Sequence, residues 1–345
     1  MKRLEVKHLS VAYDKKQIIF DLNFSLEESQ IGCLLGPSGC GKTTALRAIA
    51  GFEKPTKGEI IVNGCKMNDS KTFVEPEKRK IGMIFQDIAL FPHLSVLENI
   101  QFGIRSWANS EMQKRSYELL ELVDMFQFKN SYPHQLSGGQ QQRIALARAM
   151  APKPSLLLMD EPFSSLDSEL REQLAKEVRL ILKQEKISAI LVTHDQNEAF
   201  VMGDHICLIN KGRVQQNDSA YNLYHTPLNR FVGEFIGEGS LLPGVIVASN
   251  KVKTDIGEIT GSLPEFCKLN DNVDVLIRPE NIILLENNEN QAMVKARYFR
   301  GSGFLYILKT NNGSELSCFL PGPASLKIDQ SIGIQLQINQ PIVFK

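Results

Sequence analysis

The sequence predicts an α/β domain built on a mostly parallel sheet, followed by a small all-β, barrel-like domain. Three observations carry this. Short apolar runs alternate with helical periodicity in the N-terminal part, one of these runs feeds a glycine-rich turn that opens a helix, and beyond about Phe235 helical periodicity gives way to short alternating runs. Strands are expected at Leu4–Leu9 and, as a more buried apolar run, at Ile31–Leu35, with a helix beginning near Lys42. A further run, Ser155–Met159, ends in Asp160 and Glu161, and another, Ile190–Val192, ends in Thr193 and His194. Between them, Asp167–Lys186 carries Leu170, Leu174, Val178 and Leu182 at helical spacing, with Glu172 and Lys176 four apart. Strand, helix, strand is the signature of a parallel sheet, and ligands of such sheets sit at the carboxyl ends of the strands. The later runs are Gly244–Ala248, Val273–Ile277, Phe304–Leu308 and Ile332–Ile338, with Asn312-Gly313 as a hairpin signal. The expected domains are therefore 1–236 and 237–345.

Composition narrows the functional classes. The chain has 345 residues, 43% of them apolar, and 39 basic residues balance 39 acidic ones. Zero net charge argues against holding nucleic acid by bulk electrostatics. Apolar stretches such as Leu156–Met159 are strand-sized, far short of the roughly 18 residues of a membrane helix. The start alternates polar and apolar residues where a secretory signal would be unbroken and apolar, so a cytoplasmic protein is expected. The cysteines (Cys33, Cys40, Cys65, Cys207, Cys267, Cys318) are scattered without a C-x-x-C pair, which argues against a disulfide framework or structural zinc.

Gly36-Pro37-Ser38-Gly39-Cys40-Gly41-Lys42-Thr43 fits G-x-x-x-x-G-K followed by Ser or Thr, with an apolar strand before it and a helical pattern after it. A chance match in a chain of this size is on the order of one in a hundred. Glycines let successive backbone N–H groups converge on phosphate oxygens at the positive end of the following helix. Lys42 is expected at the β- and γ-phosphates and Thr43 at Mg²⁺. Cys40 occupies a position where side-chain identity should matter little.

The run LLLMDEP places two acids where an apolar strand leaves the core. Buried acids are costly unless they face a cation or a wet site. Asp160 is the expected Mg²⁺ partner and Glu161 the group that polarises water for in-line attack on the γ-phosphate.

With LSGGQQQRIALARAM at 136–150, the chain resembles the ABC-transporter ATPase family over roughly its first 235 residues. Ser137, Gly138 and Gly139 precede an apolar-periodic helix, so their N–H groups form a second anion-binding terminus. The resemblance implies a helical subdomain and two ATP sandwiched in a head-to-tail dimer, the signature of one subunit covering the γ-phosphate on the P-loop of the other. One copy of each element implies homodimerisation or pairing with a relative. The resemblance also implies that Gln86, in IFQDIALFPHL, serves Mg²⁺ and the attacking water. It implies that His194, in LVTHD, meets the γ-phosphate, that Asp167, in SSLD, makes the dimer contact, and that Tyr13 stacks on adenine. Thr44 and Gln140 join the nucleotide-binding set. The stretch Gln86–Gly103, with Phe91-Pro92-His93-Leu94-Ser95 and Glu98-Asn99-Ile100, looks like the entry to the subdomain that contacts permease loops, and should expose apolar atoms.

Val275 to Asn281, VLIRPEN, resembles the importer subfamily whose ATPase carries an OB-like (TOBE) regulatory extension. Residues 231–244 look most like ferric-iron importers, with polyamine, sulfate, molybdate and sugar importers close behind. Arg278 and Glu280 are open to two readings, a surface ion pair or a regulatory contact. The implied partners are a second copy, an integral membrane permease and, indirectly, a periplasmic or extracellular solute-binding protein, with the chain peripheral on the cytoplasmic face. Two other classes share these motifs, a soluble ABC ATPase acting on nucleic acid or ribosomes and a nucleotide sensor without turnover. Residues 43–159 lack sustained heptads, only one ATPase module is present, and Glu161 argues against a sensor.

Overall fold

The computed structural model describes residues 2–14, 16–69, 71–285, 290–323 and 326–345. It divides into two compact units, Met1–Ala220 and Tyr221–Lys345, so the short helix Arg230–Phe235 falls in the second unit rather than closing the first.

The first unit contains a six-stranded sheet made of β1 (Ile31–Leu35), β2 (Ile81–Ile84), β3 (Leu156–Asp160), β4 (Ser188–Thr193), β5 (His205–Asn210) and β6 (Arg213–Asp218), in the order β6-β5-β1-β4-β3-β2. All neighbours run parallel except β6, an antiparallel edge. Every residue of β3 and β4 is buried, as expected of strands covered on both faces, which explains why both read as continuous apolar runs. Helix α1 (Lys42–Ala50) follows β1, and α2 (Gly138–Met150) precedes β3. Helix α3 (Ser168–Gln184) crosses from β3 to β4, and α4 (Gln196–Met202) follows β4. The expected Lys176–Glu172 pair forms on α3 at 2.6 Å. In a second, four-stranded antiparallel sheet of Lys16–Glu27, Lys2–Tyr13, Lys57–Val62 and Cys65–Asn68, in that order, the strand expected at Leu4–Leu9 lies inside Lys2–Tyr13, and the spacing did not predict the other three. Between residues 43 and 159 the longest described helix is Asn109–Leu122, too short for a coiled-coil arm. No helix among the described residues is long and apolar enough to cross a membrane.

The second unit holds two five-stranded sheets whose inward side chains, among them Leu242, Val275, Ile277, Val294, Leu308 and Ile334, form one apolar cluster. Gly313, at φ 90°, closes a hairpin in which Thr310 N–H donates to the Ser314 carbonyl at 2.9 Å. The hairpin joins Gly303–Thr310 to Glu315–Pro321, a strand the alternation had not revealed.

Arg278 is not the surface half of an ion pair. It is 3% exposed, and its guanidinium donates to the carbonyls of Gly233 and Glu238 at 3.1 Å and of Tyr224 at 3.2 Å, lying 4.2 Å from the Tyr224 ring centre. Glu280 instead accepts the Tyr224 hydroxyl at 2.7 Å. Burial lowers the Arg278 pKa, so the cation is retained for its hydrogen bonds. Arg278→Met is expected to leave these carbonyls unpaired and cost about 3 kcal/mol. In thermal melts this lowers the melting of the second unit by about 10 °C. An unchanged melt would show that the carbonyls find other donors.

Candidate functional site

Because β1 to β5 run parallel, the segments leaving the carboxyl ends of β1, β2, β3 and β4 emerge along one edge. Those segments carry Gly36–Thr43, Gln86, Asp160 with Glu161, and His194.

The loop after β1 turns through Gly36, Pro37, Ser38 and Gly39 before α1. A Cβ on Gly36 would lie 2.1 Å from the Ile209 carbonyl oxygen, so only glycine lets the loop pack against β5. Gly39, at φ 77°, has no atom within 4 Å of where a Cβ would stand, so its backbone faces open space. Gly41 begins α1 without any side-chain cap and the first turn holds no acid, leaving the helix terminus to an external anion. Lys42 is 4% exposed and its Nζ donates back into the loop, to the carbonyls of Gly36 at 2.8 Å and Pro37 at 3.0 Å. Cys40 is not an indifferent position. It is 5% exposed and belongs to the apolar core, its sulfur 3.9 Å from Lys42 Nζ, and burial raises its pKa.

Thr43 Oγ1 donates to Asp160 Oδ1 at 2.9 Å. Asp160 is 5% exposed, and its pKa is raised by burial and by the neighbouring Glu161 charge, against the lowering effect of the Thr43 hydroxyl. Glu161 stands at φ 44°, a left-handed conformation that costs a non-glycine residue of order 1–3 kcal/mol. Its N–H donates to the Val192 carbonyl at 2.9 Å, extending the β3–β4 ladder by one residue, and its Oε2 lies 3.2 Å from His194 Nδ1. The two adjacent acids therefore serve different partners, Asp160 the P-loop and Glu161 the histidine.

Tyr13, at the end of its strand, is 41% exposed. Partial burial raises its pKa, with Glu53 acting in the same direction and Thr44 and Arg47 against it. Gln86 is exposed beyond β2, and among the described residues no hydrogen bond ties it to Thr43 or Asp160. In the stretch that follows, Phe102 is 41% exposed and packs against Phe91 with ring centres 4.2 Å apart and planes tilted by 37°. Asn99 is fully buried and donates to the carbonyls of Phe91, Leu94 and Ser95, so this residue braces the loop rather than facing a partner.

Ser137 caps α2 in a capping box: its hydroxyl accepts from Gln140 N–H while the Gln140 side chain accepts from Ser137 N–H at 2.9 Å. The box leaves the Gly138 and Gly139 amides at the helix terminus. A cavity of about 250 Å³ beside them is lined by Ser137, Gly139, Gln140, Arg143, Leu170 and Glu177, among others, and by none of the P-loop residues. Asp167 is exposed and caps α3, accepting from Leu170 N–H at 3.0 Å. Beyond the predicted set, Thr193, Asp195, Glu198 and Arg171 form a polar cluster behind His194. The apolar run ending in Thr193 and His194 and the helical spacing of 167–186 pointed toward this region, and neither gave a hint that these four side chains meet.

The model of the ABC transporter family matches residues 19–164 and that of the TOBE domain residues 275–344. The chain is 38% identical to the spermidine/putrescine import ATP-binding protein PotA of Clostridium novyi, over 90% of this chain and 89% of that protein. It is 39% identical to PotA of Clostridium acetobutylicum, over 96% and 94%. It is 40% identical to the Fe(3+) ions import ATP-binding protein FbpC 2 of Haemophilus influenzae, over 83% and 81%. Among solved structures it is similar to the dimeric post-hydrolysis state of the ATP-binding cassette MJ0796 bound to ADP and Pi. That likeness has a TM-score of 0.55 and 32% identity, covering 63% of this chain and 98% of that one.

Proposed function

The chain belongs to the ABC transporter family of import ATP-binding proteins, with a TOBE domain following the ATPase domain in sequence, and from that premise we propose that two copies close head to tail on two ATP molecules and that hydrolysis drives solute import through a separate membrane permease. One observation carries this reading. The P-loop, Asp160, Glu161 and His194 share one sheet edge, whereas the second anion-binding terminus, at Gly138 and Gly139, opens beside a cavity that contains none of them. A second copy would complete the site.

The chain's own groups suggest the following division of labour. Lys42 exchanges its loop carbonyls for the β- and γ-phosphates, joined by the loop amides and the uncapped start of α1, with Thr44 beyond them. Tyr13 offers its exposed ring to adenine. Glu161 accepts a proton from the attacking water, and His194, held at one nitrogen by Glu161, turns its other edge to the γ-phosphate. Ser137, Gly138, Gly139 and Gln140 of the second copy cover that phosphate, and Asp167 meets the partner. Thr43 and Asp160 form an oxygen-only pair whose buried carboxylate a divalent cation would relieve, so these residues fit Mg²⁺, with Gln86 as a third contributor. When bound, Mg²⁺ offsets the charge that builds on the phosphate oxygens. We place the chain on the cytoplasmic side of the membrane, peripheral, with a solute-binding protein delivering cargo on the other side.

For the solute, the favoured reading is spermidine or putrescine, because likeness to the PotA proteins runs over up to 96% of this chain, the second domain included. Ferric ion is the second reading, favoured by 40% identity to FbpC 2 over 289 residues. In cells carrying the chain and its permease, labelled spermidine uptake is expected to be lost when Lys42→Ala replaces the native protein, with ferric uptake unchanged. The reverse pattern would select iron.

A further inference from the structure

We infer that Arg171 is a positioning residue for hydrolysis, a clamp that ties the segment ending in Asp167 to the segment carrying His194; the inference rests on the ATPase reading above. Arg171 lies in the first turn of α3, and its planar guanidinium reaches both ways. One Nη donates to the Leu166 carbonyl at 2.8 Å, the residue just before Asp167. The other Nη donates to Asp195 Oδ2 at 3.3 Å, the residue just after His194. Its Nε stands 3.5 Å from Oε1 of Glu198.

Glu198 is 5% exposed, and its other oxygen accepts the Thr193 hydroxyl at 2.5 Å. Thr193 Oγ1 in turn accepts Asp195 N–H at 3.0 Å, so both neighbours of His194 are held from behind. Asp195 Oδ1 also caps α4 through the N–H groups of Asn197 and Glu198. The histidine itself is 51% exposed, with Glu161 Oε2 3.2 Å from its Nδ1. Its ring is thus placed by this framework rather than by burial of its own. A buried carboxylate is tolerated when a cation and a hydroxyl face it, and Arg171 and Thr193 supply these. The planar fork is what lets one side chain bond a carbonyl on one segment and Asp195 on another, while its charge faces the Glu198 carboxylate at 3.5 Å.

The clamp predicts coupling between Arg171 and Glu198 in turnover without a matching effect on nucleotide affinity. The full chain is measured as wild type, Arg171→Met, Glu198→Gln and the double variant, for steady-state kcat and for ATP binding. Arg171→Met is expected to lower kcat by about tenfold or more, as small misplacements of a reacting group do, with ATP affinity within about twofold. Glu198→Gln keeps the acceptor for Thr193 and is expected to lose less. The double variant should turn over no more slowly than Arg171→Met, because the partner of the clamp is already gone. Multiplicative losses in the double variant would overturn the inference, as would a wild-type kcat in Arg171→Met or a loss of ATP affinity equal to the loss of kcat. Should Arg171→Met not fold, Arg171→Lys replaces it in the same cycle, since one ammonium cannot span both segments. A wild-type chain that neither binds nor cleaves ATP would remove the ATPase reading itself; multiplicative losses of kcat in a competent chain remove only the clamp.

Discussion

Glu161→Gln is expected to stop steady-state hydrolysis while ATP still binds and the closed dimer accumulates. The substitution preserves shape. The backbone of residue 161 is fixed by its N–H bond to the Val192 carbonyl and by Ser164, whose N–H and hydroxyl both donate to the Glu161 carbonyl, at 3.2 and 2.9 Å. None of these bonds depends on the carboxylate. What disappears is the proton acceptor, and loss of a positioned general base costs about 10²–10⁴-fold. Asp160 cannot take over, because its carboxylate is turned to Thr43, whose hydroxyl donates to it at 2.9 Å. Removing one negative charge beside the γ-phosphate also favours the closed state. The measurement is phosphate release together with light scattering in saturating Mg-ATP. Near-normal release would take Glu161 out of the catalytic role, and a strictly monomeric variant would contradict the two-copy site.

Why so much of this site could be read from the sequence, and where the reading failed, follows from periodicity. Strands β1, β3 and β4 are buried and appear as unbroken apolar runs, so their ends, and the residues that stand there, were legible to within a residue or two. Three strands of the four-stranded sheet, all but the one holding Leu4–Leu9, were missed for the opposite reason. Lys16–Glu27 alternates irregularly, with Asp21 at φ 55° and shifted register against its neighbour. Yet Asn63-Gly64, both at positive φ between Lys57–Val62 and Cys65–Asn68, was a hairpin signal that could have found half of it. Arg278 illustrates a different limit: whether a charged residue is solvated or swallowed depends on carbonyls of Tyr224, Gly233 and Glu238, tens of residues away, and no local pattern encodes that. The cluster of Arg171, Thr193, Asp195 and Glu198 was hidden for the same reason, since two separate segments must meet before it exists.

Lys42→Ala is expected to weaken ATP binding by about 100-fold, the loss of a charge-assisted contact worth close to 3 kcal/mol. The structure adds a second consequence, because the same ammonium holds the Gly36 and Pro37 carbonyls. Those bonds orient the loop whose amides must converge on phosphate, so Ala removes both a ligand contact and part of the loop's preorganisation. The two effects separate in Lys42→Arg. If charge alone mattered, Arg would restore affinity. The lysine is 4% exposed, packed beside the buried Cys40 sulfur, and a planar guanidinium is larger than the space the ammonium fills. Arg is therefore expected to rescue less than tenfold of the loss. Titration calorimetry with ATP on both variants decides the matter. Full rescue by Arg would reduce Lys42 to a point charge, and unchanged affinity in Ala would sever it from the nucleotide altogether.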